Sequence, residues 1–397
     1  MKNNVLYISH YPGEPFDGGN IHVYNVIKNL DNTISPNVLY YYYNDEKLGD
    51  TDLILNNIKG ISIKEKINNL SRLKYILLGK APGPMYLEEK LKKKLVVDVK
   101  KIIVKYDIDI LHVWGPNIAG CLEEINDIKK IITPCDSFSL LHRSYAKNSK
   151  FLKKIYHKLV SKLYKNYEKK IYNNFDEVVF LTSRDMTNAK CIVDRKYYVI
   201  PNGINTKQEN MYLKNKEKTS DKIILGFHGN LEYSPNFDAV KYLVNILGPK
   251  LSEIYGREKI EIHLIGKGNL GDLINEKNFD YVKNFGYVED LEKALLKLDI
   301  YISPLFSGAG MKNKILEAFS LGIPIVGTSE SFVGINVGCD FDYLLANNEE
   351  VFIEKIFQLL KNKEKRFEIS DKVYKSITKE YSWKNISKKY LELYGEN

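Results

Sequence analysis

Short apolar runs of strand length alternate with longer amphipathic stretches along this chain, and they do so in two series separated by a polar break. In the first series, residues 4–10, 37–43, 109–113, 130–133, 177–181 and 197–200 read as strands rich in Val, Ile and Tyr. Helical patterns fill the intervals, notably residues 85–105 and 150–174. The turn Ile200-Pro201-Asn202-Gly203 stops the pattern, and residues 204–221 are polar and lysine-rich, the composition of a linker. A second series then places strands at 223–228, 260–265, 281–285, 300–303 and 324–326, with helices at 237–247, 290–297 and 312–321. Two further helices, 350–361 and 383–394, close the chain. Such alternation buries its apolar surface as a parallel sheet covered by helices, so two α/β halves joined by one linker are expected.

Several classes of protein fit poorly. No stretch reaches the roughly 18 apolar residues of a membrane-spanning helix. The first apolar run near the N-terminus is only four residues long, which reads as a first strand rather than a secretory signal and gives a cytoplasmic expectation. Cys121, Cys135, Cys191 and Cys339 lie far apart, supporting neither a zinc site nor a disulfide framework, so mostly buried, reduced thiols are expected. The net charge of +9 is unevenly spread: residues 140–175 hold ten Lys or Arg against one acid, Glu168, with six aromatic rings interleaved between Tyr145 and Tyr172. That stretch fits nucleic acid, an anionic membrane or a phosphorylated substrate, and it equally fits the solvated face of a long helix.

Residues 303–327, SPLFSGAGMKNKILEAFSLGIPIVG, concentrate the chemistry. A strand ends at Ser303, a loop carries Gly308 and Gly310, and a helix starts near Met311. Glycine lets the backbone approach a ligand closely, and the free amides of a helix start attract phosphate. Lys312 and Lys314 place positive charge in a first turn, where it opposes the helix dipole unless an anion is bound. Glu317 follows Lys314 by three residues on about the same face; it suits a ribose diol, or a surface ion pair with Lys314 worth a few tenths of a kcal/mol.

These residues resemble the donor-binding motif of GT-B glycosyltransferases, especially the large retaining family four. That motif has two glutamates separated by seven residues, then a small-residue helix and a Gly-x-Pro-hydrophobic strand. Glu317 with Ala318-Phe319-Ser320-Leu321-Gly322-Ile323-Pro324-Ile325-Val326 matches its second half, while the first glutamate falls at Ala309 and is absent. The resemblance implies that Glu317 binds the nucleotide ribose. The Gly-x-Gly-x-Lys-x-Lys pattern is similar to a variant branch in which a lysine of this helix serves the phosphates, with Lys312 slightly preferred over Lys314. Gly229 and Asn230 resemble the family's opening loop in this half, and Tyr287-Val288 the loop whose backbone lies along the nucleobase. Gly18-Gly19, before a helix near the N-terminus, resembles the pair that approaches the donor phosphates, and Tyr381-Ser382-Trp383 the start of the last helix.

The implied fold is GT-B, two Rossmann-like domains facing across a cleft. Its expected parts are an acceptor domain at 1–203, the linker at 204–221, a nucleotide-sugar domain at 222–380 and a returning C-terminal helix at 381–397. The implied reaction moves a sugar from a nucleoside diphosphate to a hydroxyl, with retention of configuration, in cell-surface glycan synthesis. A lipid-linked or protein-linked glycan acceptor is then expected, with an anionic membrane surface as a further partner and no nucleic acid. Asp136, near the place where many relatives carry a histidine, suits a general base or an acceptor-orienting group; it equally suits the cap of a following helix. His10 and His112 end strands in the same half, as cleft residues or as core. No metal is expected, because neither Asp107-x-Asp109 nor Asp340-x-Asp342 sits as a diphosphate–metal site requires. An epimerase of the same fold, or a silent binding subunit, stands as the alternative.

Overall fold

The computed structural model describes residues 3–13, 20–43, 53, 57–63, 69–81, 89–147, 149–215, 222–271, 273, 280–338 and 341–395. The chain divides into two compact units, one made of Met1–Gly203 with Trp383–Asn397 and the other of Ile204–Ser382.

In the first unit, seven strands run β1 (Asn3–His10), β2 (Ile34–Tyr43), β3 (Asn57–Ile63), β4 (Ile110–Trp114), β5 (Lys129–Cys135), β6 (Glu177–Phe180) and β7 (Lys196–Val199). They pair in parallel in the order β3-β2-β1-β4-β5-β6-β7, so the order reverses between β1 and β4. Alternate residues of β1 feed two cores, as the two-residue period of a strand requires. Leu6 and Ile8 pack with Leu95, Val99 and Val160, whereas Val5 and Tyr7 pack with Val23, Trp114, Ile386 and Tyr390. The second core lies under the helices Asn20–Lys28 and Trp383–Gly395, so the last helix completes this unit. Strand β3 and the helix Asn69–Leu77 have no counterpart in the sequence reading.

Two histidines are embedded in that second core. His112 is fully buried, with Nδ1 2.8 Å from the Tyr394 hydroxyl, Nε2 2.8 Å from Thr133 Oγ1, and its ring stacked on Trp114 at 3.7 Å. Of the two readings open in the sequence, cleft residue or core, His112 takes the core. His22 bonds the Tyr390 hydroxyl through Nε2 at 2.9 Å and Asn202 through Nδ1. Of the cysteines, Cys121 is buried, Cys135 intermediate and Cys191 exposed, so burial does not extend to Cys191; Cys339 lies outside the described residues.

The second unit holds β8 (Ile223–His228), β9 (Ile260–Ile265), β10 (Val282–Gly286), β11 (Ile300–Ser303) and β12 (Ile325–Gly327), all parallel in the order β10-β9-β8-β11-β12. The order again reverses, here between β8 and β11. The described part of the expected linker is built into this unit. Ile204 bridges to Ser382, and the buried Tyr212 donates its hydroxyl to the Asp299 carbonyl at 2.8 Å. Polar composition concealed this single anchoring ring.

Burial lowers the pKa of His22 to about 4 and that of His112 well below its ordinary value. In the unfolded chain both return to about 6.5, so below that pH the unfolded state binds more protons. Stability is thus present above pH 6.5 and is lost as pH falls toward 4. Both tryptophans, Trp114 and Trp383, lie in this unit, so tryptophan fluorescence reports on it alone. Urea unfolding followed this way should show the unit weakened between pH 7 and pH 5, by about 2 kcal/mol from His22, with His112 acting in the same direction. Equal midpoints at the two pH values would contradict the assignment.

Candidate functional site

Where an open parallel sheet reverses its strand order, the loops leaving the two neighbouring strands diverge and leave a crevice at their carboxyl ends. In the second unit those strands are β8 and β11. Strand β8 ends on His228 and passes to Gly229; β11 ends on Ser303 and passes through Gly308 and Gly310 to the helix Asn313–Ser320. That helix buries Ile315, Leu316 and Phe319, which turns Lys314 and Glu317 toward the end of β8.

Two hydrogen-bonded groups result, coupled by the opposite charges of Lys314 and Glu317. Glu317 Oε2 lies 2.8 Å from Nε2 of His228, whose ring is 4% exposed. Lys314 Nζ donates to Asn236 Oδ1 at 2.6 Å and lies 4.4 Å from the centroid of the Phe227 ring. Asn236 in turn donates its amide to the Asn230 carbonyl at 2.6 Å, and Asn230 Oδ1 accepts the Glu232 amide at 3.1 Å. Tyr301 closes the floor, with its ring centroid 5.4 Å from that of His228. Gly229 is favoured here by its φ of +143°, which L side chains rarely adopt, and a Cβ would stand 2.7 Å from Lys314 Nζ, which would have to shift. Gly266 is required on the other side, where a Cβ would meet the Gly229 carbonyl at 1.9 Å.

Burial lowers the pKa of Lys314 to about 7, with Glu317 opposing the shift and Lys312 adding to it. Burial would raise Glu317, but the bond from His228 and the charges of His228 and Lys314 outweigh it and hold the carboxyl below its ordinary value. The charge of Lys314 therefore responds to any anion that enters.

Lys312 is committed differently. Its Nζ donates to the carbonyls of Ala309 and Gly310, each at 2.9 Å, and meets Glu330 Oε1 at 3.5 Å. It ties the glycine loop together, with Gly308 at φ +141° and Gly310 at φ +63°. Position 309 carries no acid, yet Glu330 brings a carboxylate to this loop from the segment after β12.

Other expected residues lie apart. Tyr287 is exposed after Gly286, with Lys267 Nζ 5.0 Å from its ring centroid. Val288 lines a cavity of about 260 Å³ with His263, Phe285 and Lys293. Gly18 and Gly19 lie outside the described residues. In the first unit, Asp136 follows Cys135 at the end of β5. The helix Phe138–Lys147 is capped instead by Ser137, whose Oγ accepts the Leu140 amide at 3.3 Å. The loop around Asp136 rests on buried acids: Glu168 accepts the Ser139 amide at 3.0 Å, and Asp185 accepts the Ser137 amide at 3.1 Å. Burial raises the pKa of Glu168.

Among the described residues, no three His, Cys, Asp or Glu side chains converge as metal ligands. Asp107 and Asp109 instead hold Asn4 at the start of β1, the Asp109 carboxylate accepting its amide at 2.7 Å and the Asp107 carbonyl its side chain at 3.0 Å. Asp340 lies outside the described residues. Tyr301 and Glu330 escaped the sequence reading; His228 and Asn236 lie within residues 227–236, the segment that resembles the family's opening loop, but were given no role there.

Two parallel sheets, each in its own α/β unit, with a site of this kind at the strand ends of the second, are the architecture of GT-B glycosyltransferases, and comparison with known proteins agrees. Residues 16–208 match the model described as Glycosyltransferase Family 4, and residues 222–362 match Glycosyl transferases group 1. The chain is a glycosyltransferase of GT-B fold. No curated protein matches the sequence. Similar solved structures include sucrose-phosphate synthase from Thermosynechococcus elongatus, at 14% identity and TM-score 0.69, covering 99% of this chain and 98% of that one. HepE from Anabaena in complex with UDP gives 12% identity and TM-score 0.64, with 99% of each chain covered. A variant of S. aureus TarM in complex with fondaparinux, alpha-GlcNAc-glycerol and UDP gives 14% and 0.65, with 100% of each covered.

Lysine carrying a ¹³C label, followed by NMR across a pH titration, should show one side chain titrating near pH 7 while exposed lysines titrate near 10.4. Glu317→Gln should move that midpoint lower still, because the carboxylate supports the charged amine. A lysine spectrum with every midpoint above 9 would refute the depressed amine.

Proposed function

We propose that the second unit binds a nucleoside diphosphate sugar, with Glu317 on the ribose and Lys314 on the diphosphate, and that the enzyme transfers the sugar to a hydroxyl acceptor with retention. The observation that carries this reading is the cluster at the β8/β11 reversal, where a half-buried carboxylate and a lysine of depressed pKa influence each other's charge. A ribose diol donates two hydrogen bonds, which an ionised carboxylate accepts. A diphosphate restores full charge to Lys314 and is offered, in addition, the amides of the glycine loop and the helix start. Lys312, already bonded to that loop, shapes it. The Tyr287–Val288 backbone takes the base.

The departing phosphate oxygen, left on the face that the acceptor approaches, removes the acceptor proton as the new bond forms. Helix amides and lysine stabilise the leaving charge, so no metal is needed. Gly19 belongs with the donor phosphates, and Asp136 with the acceptor hydroxyl, which it orients. The bound UDP in the HepE and TarM structures makes a uridine diphosphate sugar the first donor to test. The setting we favour is assembly of a cell-surface glycan in the cytoplasm, on a lipid-linked or protein-linked acceptor. The silent-subunit reading rests on Ala309 alone, and the carboxylate of Glu330 at the same loop weakens it.

Glu317→Ala should weaken nucleoside diphosphate binding by roughly 1.5–3 kcal/mol in calorimetry, the range for a hydrogen bond to a charged group. Lys314→Ala should lose affinity for the diphosphate and keep the weaker affinity for the bare nucleoside. Wild-type affinity in both variants would reject the site.

Turnover should continue in EDTA, and NMR of the product from an α-linked donor should show an α-linkage. Activity that disappears in the chelator and returns with magnesium or manganese would overturn the metal-free mechanism, and a β-linked product would overturn retention.

A further inference from the structure

Along the helix Phe151–Asn173 apolar residues recur every four positions from Phe151 to Ile171, a stripe that packs on the sheet in an ordinary soluble domain. Only its second half does so. Leu163, Tyr167 and Ile171 are buried, whereas Phe151, Leu152, Ile155, Tyr156 and Leu159 are between 41% and 79% exposed. At about 100° per residue these five fall within about 140° of the helix circumference, one continuous apolar band in water. Lys153 borders the band on one side, and Lys154 and Lys158 on the other, all exposed. No acid pairs with these three lysines among the described residues. Glu168, the single acid of residues 140–175, is 1% exposed, so the outward face of the stretch is purely basic. The helix start compounds this: Lys150 stands at the cap, no acid occupies the first turn, and the charges oppose the helix dipole. Both the apolar band and the unopposed lysines raise the free energy of the protein in water, and a single kind of surface relieves both.

We propose that the segment Phe151–Leu159 lies on an anionic lipid bilayer, its apolar band dipping into the headgroup boundary while Lys153, Lys154 and Lys158 meet lipid phosphates. A basic amphipathic helix binds in this way in the plane of the interface. The inference stands on this face alone and does not depend on the donor reading.

The full chain should be sedimented with vesicles of phosphatidylcholine, or of equimolar phosphatidylcholine and phosphatidylglycerol, at 0.1 M and 1 M salt. Pelleting is expected with the anionic vesicles at low salt and should fade at high salt, as the screening length shortens from about 10 Å to about 3 Å. The triple variant Lys153→Gln, Lys154→Gln, Lys158→Gln should lower partitioning on the order of a hundredfold. The double variant Phe151→Ser, Ile155→Ser should lower it as well, which a purely electrostatic attraction would not require. Far-UV circular dichroism, unchanged in both, shows that the exposed substitutions leave the fold intact. No pelleting, equal pelleting on both lipids, or variants that pellet like the wild type would overturn the proposal. A concentration-dependent dimer in ultracentrifugation, abolished by the double variant without any lipid binding, would instead assign the band to a second copy of the chain.

Discussion

A carboxylate with only about a third of its side-chain surface in water needs compensating partners, and those of Glu317 organise the end of the second sheet. An isolated charge in such a place would be neutralised by a shifted pKa. Here the imidazole of His228 bonds it directly, and Lys314, one turn earlier on the same helix, adds a second positive influence. Both partners depend on strand order, because β8 and β11 are neighbours in space while β9 and β10 separate them in sequence. The same geometry dictates the glycine at 229. Gly229 holds φ +143° there, and a Cβ on it would stand 2.7 Å from the Lys314 Nζ that bonds Asn236. A charge arrangement, a backbone requirement and a topology are thus one constraint seen at three levels.

The first unit solves a different problem with similar means. Its second core buries His22 and His112 as neutral rings, each held through both nitrogens and surrounded by Trp114, Tyr390 and Tyr394. Two of the groups that satisfy them, the hydroxyls of Tyr390 and Tyr394, come from the last helix. Polar satisfaction therefore ties the chain's final segment to the helix Asn20–Lys28 and to β4 more specifically than apolar contact would, since a buried ring nitrogen left unbonded is costly. The chain accordingly passes between the units twice, after Gly203 and after Ser382.

Much of this was legible in the sequence where local pattern and tertiary role coincide. The strands at 223–228, 260–265 and 300–303 are short segments dominated by Ile and Leu or aromatic residues, and the structure has the same bounds. Strand β3 (Asn57–Ile63) was missed because NIKGISI mixes polar residues and glycine, as an edge strand tolerates. Periodicity identified the helix Phe151–Asn173 but could not show that its first turns stand clear of the sheet, because a repeat of four reads the same in either setting. At the site, the spacing of Lys314 and Glu317 was visible, whereas His228 and Asn236 reach them only through the fold. The preference for Lys312 came from its nearness to the helix start. Its side chain instead turns back onto two carbonyls of its own loop, a direction that sequence spacing does not specify.

The absent acid at Ala309 shows how far a motif and a site can part. Between Gly308 and Gly310, both at positive φ, residue 309 contributes chiefly its carbonyl, which Lys312 takes. A carboxylate nonetheless reaches the loop: Glu330 Oε1 lies 3.5 Å from the same ammonium, and 3.8 Å from where a Cβ on Gly308 would stand. Glu330 arrives from the segment after β12, the strand that pairs with β11, so the topology that aligns the two strand ends also delivers the acid. A linear pattern registers position 309 as a loss because it compares residues by sequence number. The charge balance of the loop depends on which side chains converge in space, and by that measure one carboxylate and one ammonium remain beside the glycines.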